Sequence, residues 1–376
     1  MRSDECNCCA LGFKRKTGAM AVPLHRAIFE TLRNDIREGR YLKSFPSESQ
    51  LVRRFDASRQ TVIRAMGELV KEGLVERRRG SGTVVSRRVR QTLGHIGLIL
   101  PLLSSSPFTA AFAEVCKEEG YTLMFRNLVG KDCLSFETLA KEAFAIAREF
   151  AAAKVLGVLM QPVQNIAGFE RFNREMLATF SKRRIPVVLV DHDAFFPPAR
   201  SGCDVVCMDN FHAGYAIGRH LVERGARKVA FLMHGDWAPS VMERLHGVSS
   251  AVIEAGLGWK PAKNVIACRA DDGKSIARAL RTFRADAIAC GNDIEAALLL
   301  KTLKGLGISV PDEIRVTGVD DAQHAALLSP SLTTVRQDFA QIARIAANRL
   351  AWRIHNPDEP PVTIQIRGEL IVREST

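Results

Sequence analysis

Polar side chains follow three apolar stretches in the second half of the chain. They are Asp191, Asn292, Asp293, Asp320 and Asp321. Carboxylates and amides can hydrogen-bond to several hydroxyl groups at once, as a polyol ligand requires. Each side chain alone could instead cap a helix or end a strand. Three such positions at strand ends together favour a binding site for a small polar ligand.

A second group of polar side chains lies near the start of a predicted helix. These are Arg59, Gln60, Thr61 and Arg64. The apolar side of that helix, at offsets 0, 4, 7 and 8, consists of Val62, Met66, Leu69 and Val70. The polar group is therefore free to meet a partner. Long donors and amides at the start of a helix are typical of side chains that read base edges in DNA.

A basic hairpin follows this helix. A strand begins at 74–76, three arginines end it at 77–79, and a Gly-Ser-Gly turn at 80–82 leads into the returning strand 83–85. Glycine permits positive φ and close approach to a phosphate. The alternative is a solvated hairpin tip. Directly after a helix-turn-helix pattern, a wing that contacts DNA is favoured.

The elements that position these groups form a winged helix-turn-helix over 46–85. The pattern predicts a short helix from Ser47, a break at 56–57, a second helix capped by Ser58, and then the hairpin. An amphipathic helix over 23–38, apolar at every fourth position, would pack beneath them.

The segment 23–85 resembles the DNA-binding domain of the GntR family of bacterial transcription regulators. The resemblance rests on PLHRAIFETLRNDIREGRY, FPSESQLVRRFDASRQTV and LVKEGLVERRRGSGTVV, in that order. It implies DNA contacts by Ser49, Arg59, Gln60, Thr61, Arg79 and Gly80. Four residues after Arg59 the family often has a further basic residue, whereas this chain has Ile63. Arg64, beside it, is the candidate for that contact.

Positive charge is concentrated in the same part of the chain. Residues 1–90 contain 20 Lys and Arg against 10 Asp and Glu, whereas the remaining 286 residues contain 33 against 31. A local surplus attracts a phosphate backbone, which a general solubility effect would not require. This distribution predicts double-stranded DNA as the partner of the first quarter.

Cysteine usage and hydropathy predict a cytoplasmic protein. An odd count of 9 scattered cysteines suits reduced, buried thiols. No apolar run approaches the length of a membrane span, and 1–20 lacks the core of a signal peptide. Cys6, Cys8 and Cys9 could bind metal or sense redox state, but no second pair stands at zinc-finger distance. We expect a disordered leader over 1–20, with no metal and no cofactor.

From His95 onward, strand and helix patterns alternate. This alternation predicts α/β structure, with parallel sheets covered on both faces. The pattern alone fits one large sheet or two smaller lobes. In either arrangement the carboxyl ends of the strands should line the ligand crevice.

The segment 95–376 resembles the effector-binding domain of LacI/GalR-type repressors, which is similar to periplasmic sugar-binding proteins. The matching blocks are HIGLILP, RIPVVLVDHD, VVCMDNFHAGYAIGRHLVERGARKVAFL, ERLHGVSSAVIEAG, AIACGNDIEAALLLKTLKGLGISVPDEIRVTGVDD, SPSLTTVRQD and GELIVREST. The resemblance implies two lobes joined by three crossovers, closure on a small ligand, and a homodimer. The expected ranges are a DNA-binding domain at 21–85, a linker at 86–94, a first lobe at 95–191 and 336–356, and a second lobe at 204–330 and 360–373.

Carried over by position, the resemblance implies effector contacts by Asp191, Arg244, Asn292 and Asp320, with Gln337 at a crossover. The segment after the first strand is about one helical turn shorter than is usual in such domains, and Phe108 within it would form a pocket wall. Trp237 could stack on a sugar face or could equally be a core or surface tryptophan.

The leading hypothesis is a DNA-binding transcription regulator. It would repress a carbohydrate-use operon and respond to a small-molecule effector, most simply a sugar. The alternative is an effector-activated regulator that responds to a nucleobase or nucleoside. An enzyme is disfavoured because the chain lacks the G-x-S-x-G, G-x-x-x-x-G-K-[ST] and strand-linked G-x-G-x-x-G motifs. A sugar-transport component is disfavoured because it would leave the basic winged helix without a purpose.

Overall fold

The computed structural model divides the chain into two compact units, residues 1–93 and 94–376. The residues that the structure describes are 23–37, 40–41, 45–78, 82–86, 94–101, 105–128, 136–164, 169–234 and 238–376. The expected leader over 1–20 and the linker residues 87–93 lie outside them. No helix in these ranges is long and apolar enough to cross a membrane.

The first unit is a winged helix-turn-helix, as predicted. Its helices are α1 (Leu24–Arg37), α2 (Glu48–Phe55) and α3 (Arg59–Lys71). The strands β1 (Val75–Arg78) and β2 (Gly82–Val85) pair antiparallel to form the wing.

Capping side chains determine where the two central helices begin. Ser47 caps α2 in a reciprocal capping box with Gln50, and Ser58 accepts a hydrogen bond of 3.2 Å from the backbone N–H of Thr61 at the start of α3. Asp56 adopts a left-handed conformation, with φ of 46°, and ends α2. The break between the helices therefore follows from local hydrogen bonding.

The core of the first unit differs from the predicted apolar stripes at two positions. It is formed by Ile28, Phe29, Leu32, Ile36, Leu51, Val62, Ala65, Met66 and Leu69, among others. Leu24 remains 53% exposed and Val70 42% exposed. Both were expected inside, and this was wrong. Each lies at the end of its helix, past the edge of the packed face.

The second unit contains two six-stranded sheets. The first comprises β3 (His95–Pro101), β4 (Thr122–Leu128), β5 (Gly157–Met160), β6 (Val187–Val190), β7 (Asp204–Met208) and β13 (Thr363–Ile366). The second comprises β8 (Val229–Met233), β9 (Val265–Ala267), β10 (Ala287–Cys290), β11 (Arg315–Asp320), β12 (Thr333–Arg336) and β14 (Glu369–Ile371). Their orders are β13-β7-β6-β5-β3-β4 and β14-β12-β11-β10-β8-β9. All pairs are parallel except β12 with β14.

Helices cover both sheets. Those of the first lobe are α4 (Ser105–Glu119), α5 (Phe136–Ala152), α6 (Phe169–Lys182) and α12 (Phe339–His355). Those of the second lobe are α7 (Asn210–Glu223), α8 (Pro239–Glu254), α9 (Pro261–Asn264), α10 (Gly273–Phe283) and α11 (Asp293–Gly305), with a 3-10 helix at Gln323–Leu327.

The chain crosses between the lobes three times. The crossovers lie between β7 and α7, between β12 and α12, and between β13 and β14. The expected lobe ranges were therefore wrong for β7 and β13, which pair in the first sheet. Pairing across 158 residues of sequence joins these two strands, and no local pattern carries that information.

Candidate functional site

The exposed face of α3 carries the predicted DNA-contacting side chains. Arg59, Gln60 and Arg64 are exposed, on the side away from the buried stripe. Thr61 is half-buried, and its hydroxyl lies 2.8 Å from that of Ser58, so it also supports the helix cap. This face offers cationic and amide donors of the kind that read base edges and phosphates.

Glu48 of α2 connects the three elements of the first unit that are predicted to face DNA. Its carboxylate lies 3.5 Å from Arg59 of α3 and 3.5 Å from Arg77 of the wing. Such exposed pairs contribute little to stability, so both arginines can exchange Glu48 for a phosphate. Ser49, the neighbouring residue on α2, is exposed. Arg79 and Gly80 lie outside the residues described.

In the second unit, the carboxyl ends of the strands bring a buried guanidinium against polar groups. Arg244 of α8 is 5% exposed and donates from Nε to Asn210 at 2.8 Å and from Nη1 to the carbonyl of Gly291 at 2.7 Å. Its Nη2 lies 4.0 Å from a carboxylate oxygen of Asp320. Arg244 is thus held in place by two neutral acceptors and keeps one nitrogen directed toward Asp320.

Asp320 ends β11 in a conformation that L-residues rarely adopt, with φ of 121°. Burial raises the pKa of its carboxyl to about 7, although the Arg244 guanidinium acts in the opposite direction. Local backbone strain is typical of functional positions. Near neutral pH this carboxyl can therefore either donate or accept a hydrogen bond.

The first lobe contributes Asp191, which follows β6. It too has positive φ, 75°, and its carboxylate accepts a hydrogen bond of 2.8 Å from the amide of Gln161. Gln161 was missed by sequence analysis. It follows the apolar strand β5 as Asp191 follows β6, so the same strand-end rule would have identified it.

Gln337 lies between β12 and α12, at the second crossover, as the resemblance implied. It is 4% exposed, and its amide nitrogen has no hydrogen-bond partner among the described residues. Its backbone N–H donates to the carbonyl of Asp320 at 3.4 Å. A buried donor without a protein acceptor needs another partner, such as water or a ligand.

Three of the predicted effector contacts have other roles or are not described. The side-chain oxygen of Asn292 caps α11 by accepting from Glu295 N–H at 2.9 Å. Phe108 is only 2% exposed because Phe112 and Phe339 cover its ring, so it offers no free ring face. Trp237 lies outside the part of the chain that the structure describes.

The neighbouring acids Asp293 and Asp321 are structural. Asp293 accepts from the Thr334 hydroxyl at 2.6 Å and from Ala322 N–H at 2.8 Å, and burial raises its pKa to about 6. Asp321 pairs with Arg336 at 2.7 Å and Arg373 at 2.6 Å. These contacts fix the loop that follows β11 and so hold Asp320 in place.

Comparison with known families gives two matches along the chain. Residues 24–85 match the family described as bacterial regulatory proteins, gntR family, and residues 219–376 match the periplasmic binding protein-like domain. The first range contains the whole winged helix. The second contains most of the second lobe and the last two crossovers.

The chain is similar to several proteins that are named as transcriptional regulators. The chain is 28% identical over 350 residues to an arabinose metabolism transcriptional repressor of Geobacillus stearothermophilus, covering 89% of this chain and 92% of that one. It is 30% identical over 288 residues to an HTH-type transcriptional repressor PurR of Escherichia fergusonii, covering 73% and 78%. A crystal structure of the transcription regulator GntR from Chromobacterium violaceum superposes with a TM-score of 0.58 at 26% identity, covering 75% and 98%.

These relatives are named as transcriptional regulators, so the prediction of a regulator rather than an enzyme is confirmed. The chain belongs to the bacterial transcription regulators in which a GntR-family winged helix precedes a LacI/GalR-type, periplasmic-binding-protein-like domain.

Proposed function

We propose that the protein represses a carbohydrate-use operon in the bacterial cytoplasm and that a sugar bound between the two lobes controls its affinity for the operator. A homodimer would present two winged helices to the half-sites of a palindromic operator. The relative from Geobacillus stearothermophilus, named for arabinose metabolism, supports a carbohydrate as the effector class.

The observation that carries the effector proposal is the unsatisfied amide of Gln337. The backbone N–H of Gln337 donates to the carbonyl of Asp320, and the carboxylate of Asp320 faces Arg244. Together these groups supply a neutral donor and a carboxyl at the ends of β12 and β11 and a guanidinium from α8. Sugar hydroxyls can both donate and accept, so they can satisfy such a set without introducing an unpaired charge.

Closure of the lobes would connect the ligand to DNA binding. Gln161 and Asp191 belong to the first lobe, whereas Arg244 and Asp320 belong to the second. A ligand that contacts both sets gains affinity only when they approach each other, so it favours the closed state. The change in lobe angle would alter the spacing of the two winged helices and hence operator affinity.

A thermal-shift screen with Gln337→Met tests this proposal. Pentoses, hexoses, disaccharides, sugar acids and nucleosides are added to the pure protein, and a true effector raises the unfolding temperature by mass action. Because the Gln337 amide nitrogen has no hydrogen-bond partner in the described part of the chain, the variant should be as stable as wild type without ligand. It should lose most of the shift that the active compound causes.

Gln341→Met is the matched control, since Gln341 is exposed on α12. It should keep the full shift. If nucleosides alone stabilise the protein, the carbohydrate assignment is wrong. A Gln337→Met variant with an undiminished shift would contradict the assignment of the cleft.

A further inference from the structure

The outward face of α3 carries polar side chains, one glycine and, at its edge, one exposed isoleucine. Gln60, Arg64, Gly67 and Lys71 follow one another at helical spacing, opposite the buried stripe that begins at Val62. Along the edge of this face stands Ile63, which is 39% exposed. This face was predicted to carry donors, and the isoleucine and glycine within it need a separate explanation.

Neither the backbone conformation nor the packing in the described part of the first unit requires glycine at position 67. It lies in the middle of α3, where glycine is less favourable than alanine. It is not among the glycines with positive φ, and a Cβ built at this position would meet nothing within 4 Å in the described part of the chain. Neither backbone conformation nor packing within the unit explains it. Free space beside a helix backbone instead suits the close approach of a partner.

Ile63 is one turn from Gly67 and one turn from Arg59, on the same side of the helix. Single exposed apolar residues are common on protein surfaces. This one stands among the donors of the DNA-facing helix, where an aliphatic side chain can make no hydrogen bond. In the major groove the apolar group displayed by a base pair is the 5-methyl group of thymine.

We propose that Ile63 reads the 5-methyl group of a thymine in each operator half-site, while Gly67 leaves room for the duplex to approach α3. Gln60 and Arg64, on the adjoining face, are placed to hydrogen-bond with neighbouring base pairs. Ile63 is thus a specificity-determining residue in its own right. The inference rests on the DNA-binding role of the winged helix.

Removal of single methyl groups from DNA tests the contact. Duplexes bound by the full-length wild-type protein are selected from a random pool, and each thymine is then replaced by deoxyuridine. For wild type, one replacement per half-site should weaken binding by about 4-fold, the effect of burying one methyl group. With Ile63→Ala the same replacement should have no effect. Val70 is an exposed β-branched residue nearer the end of α3. The control variant Val70→Ala should therefore retain the wild-type response.

The inference is overturned if wild type tolerates deoxyuridine at every position, or if Ile63→Ala responds to it as wild type does. A change of oligomeric state in Ile63→Ala, measured by sedimentation, would also overturn it, because the residue would then contact a second copy. If wild type selects no duplex at all, the DNA-binding function itself fails.

Gly67→Ala provides an independent test with opposite effects on folding and binding. The variant should raise the unfolding temperature of the first unit by about 4 °C, because alanine is the better helix former. It should nevertheless bind the selected duplex at least 10-fold more weakly, because the added methyl group would collide with the DNA. A 10-fold loss of affinity corresponds to roughly 1.4 kcal/mol of binding free energy. Gly305→Ala, at another open helical glycine, should leave DNA binding unchanged. Full affinity in Gly67→Ala would contradict the proposed approach of the duplex.

Discussion

At the residue scale, carboxyl groups close in sequence have different roles because their partners differ. Asp293 and Asp321 are each held by two strong donors and fix the loop after β11. Burial alone would raise the pKa of Asp321, but hydrogen bonds from Arg373 and Arg336 hold it below its usual value. Among the described residues, the Asp320 carboxylate has one charged partner, Arg244, at 4.0 Å. It is therefore the acid in this group that remains available to a ligand.

Replacement of Asp320 by Asn should stabilise the protein at pH 8 and should do so much less at pH 5. The raised pKa, about 7, means that the folded protein binds this proton more tightly than the unfolded chain does. Stability is therefore lost as pH rises from the ordinary carboxyl pKa toward 7. Asn mimics the neutral acid and should recover about 1–2 kcal/mol at pH 8, after allowance for partial exposure of the side chain.

Chemical unfolding of both proteins at the two pH values measures the difference. Asp321→Asn serves as the contrasting variant and should be destabilising at pH 8, because it weakens two ion pairs. A constant difference between wild type and Asp320→Asn across this range would show that Asp320 is ionised throughout.

At the element scale, a buried ion cluster joins α12 to β7 and to its neighbour at the edge of the sheet, β13. Asp204 at the start of β7 is fully buried as a side chain and accepts from Arg349 at 2.7 Å and Arg353 at 2.7 Å. It also accepts from the backbone N–H of Val362, just before β13, at 2.8 Å. Trp352 packs against the Arg349 guanidinium at 4.1 Å. These contacts anchor the strands that lead into the first and third crossovers.

Asp204→Asn should destabilise the second unit by about 3–5 kcal/mol, because it leaves two buried guanidinium groups without their counter-charge. Burial acts to raise the pKa of Asp204, but hydrogen bonds from Arg353 and Arg349 leave it below its ordinary value. The cluster therefore stabilises the wild type fully at pH values above the ordinary carboxyl pKa. This contribution is lost as pH falls through the lowered pKa of Asp204. Denaturant unfolding at pH 7 measures the loss.

The matched control is Asp338→Asn, at the cap of α12. Asparagine caps helices about as well as aspartate, so this variant should unfold at nearly the wild-type denaturant concentration. Equal stability of Asp204→Asn and wild type would show that the cluster is dispensable.

At the scale of the whole molecule, charge is divided between the two units. Almost all of the net charge of +12 belongs to residues 1–90, the part of the sequence that contains α3 and the wing. The second unit is nearly neutral and contains the proposed ligand cleft. Attraction to DNA and recognition of a small polar ligand are thus assigned to different parts of the chain.

Affinity for DNA should fall steeply with salt concentration. Each phosphate neutralised on B-DNA contributes about −0.9 to the slope of log K against log salt. Arg77→Ala should reduce the magnitude of that slope by about 1, because Arg77 is exposed on the wing beside Glu48. Arg219→Ala, an exposed arginine of α7, should not change it. Fluorescence anisotropy between about 50 and 200 mM salt gives both slopes, and a flat dependence would contradict the charge argument.

Sequence periodicity predicted most of the fold because the helices and buried strands have strong local patterns. It wrongly predicted that Leu24 and Val70 are buried, because the apolar spacing of each helix extends beyond the part that packs against the core. It also missed β4, β9, β12, β13 and β14, since short or mixed strands resemble loops when their pairing partners are unknown. The strand-end rule selected Asp191 and Asp320, which remain predicted ligand contacts, but it could not separate them from structural acids such as Asp293 and Asp321.

The sequence by itself determined the two-domain organisation, the winged helix and the basic surface, because caps, periodicity and charge are local properties of the chain. Only the tertiary structure decided that β7 and β13 share the first sheet, that Asn292 caps a helix, and that Gln337 has an unsatisfied amide. Each of these depends on contacts between distant segments, and long-range pairing determines which polar groups are already satisfied and which remain for a ligand.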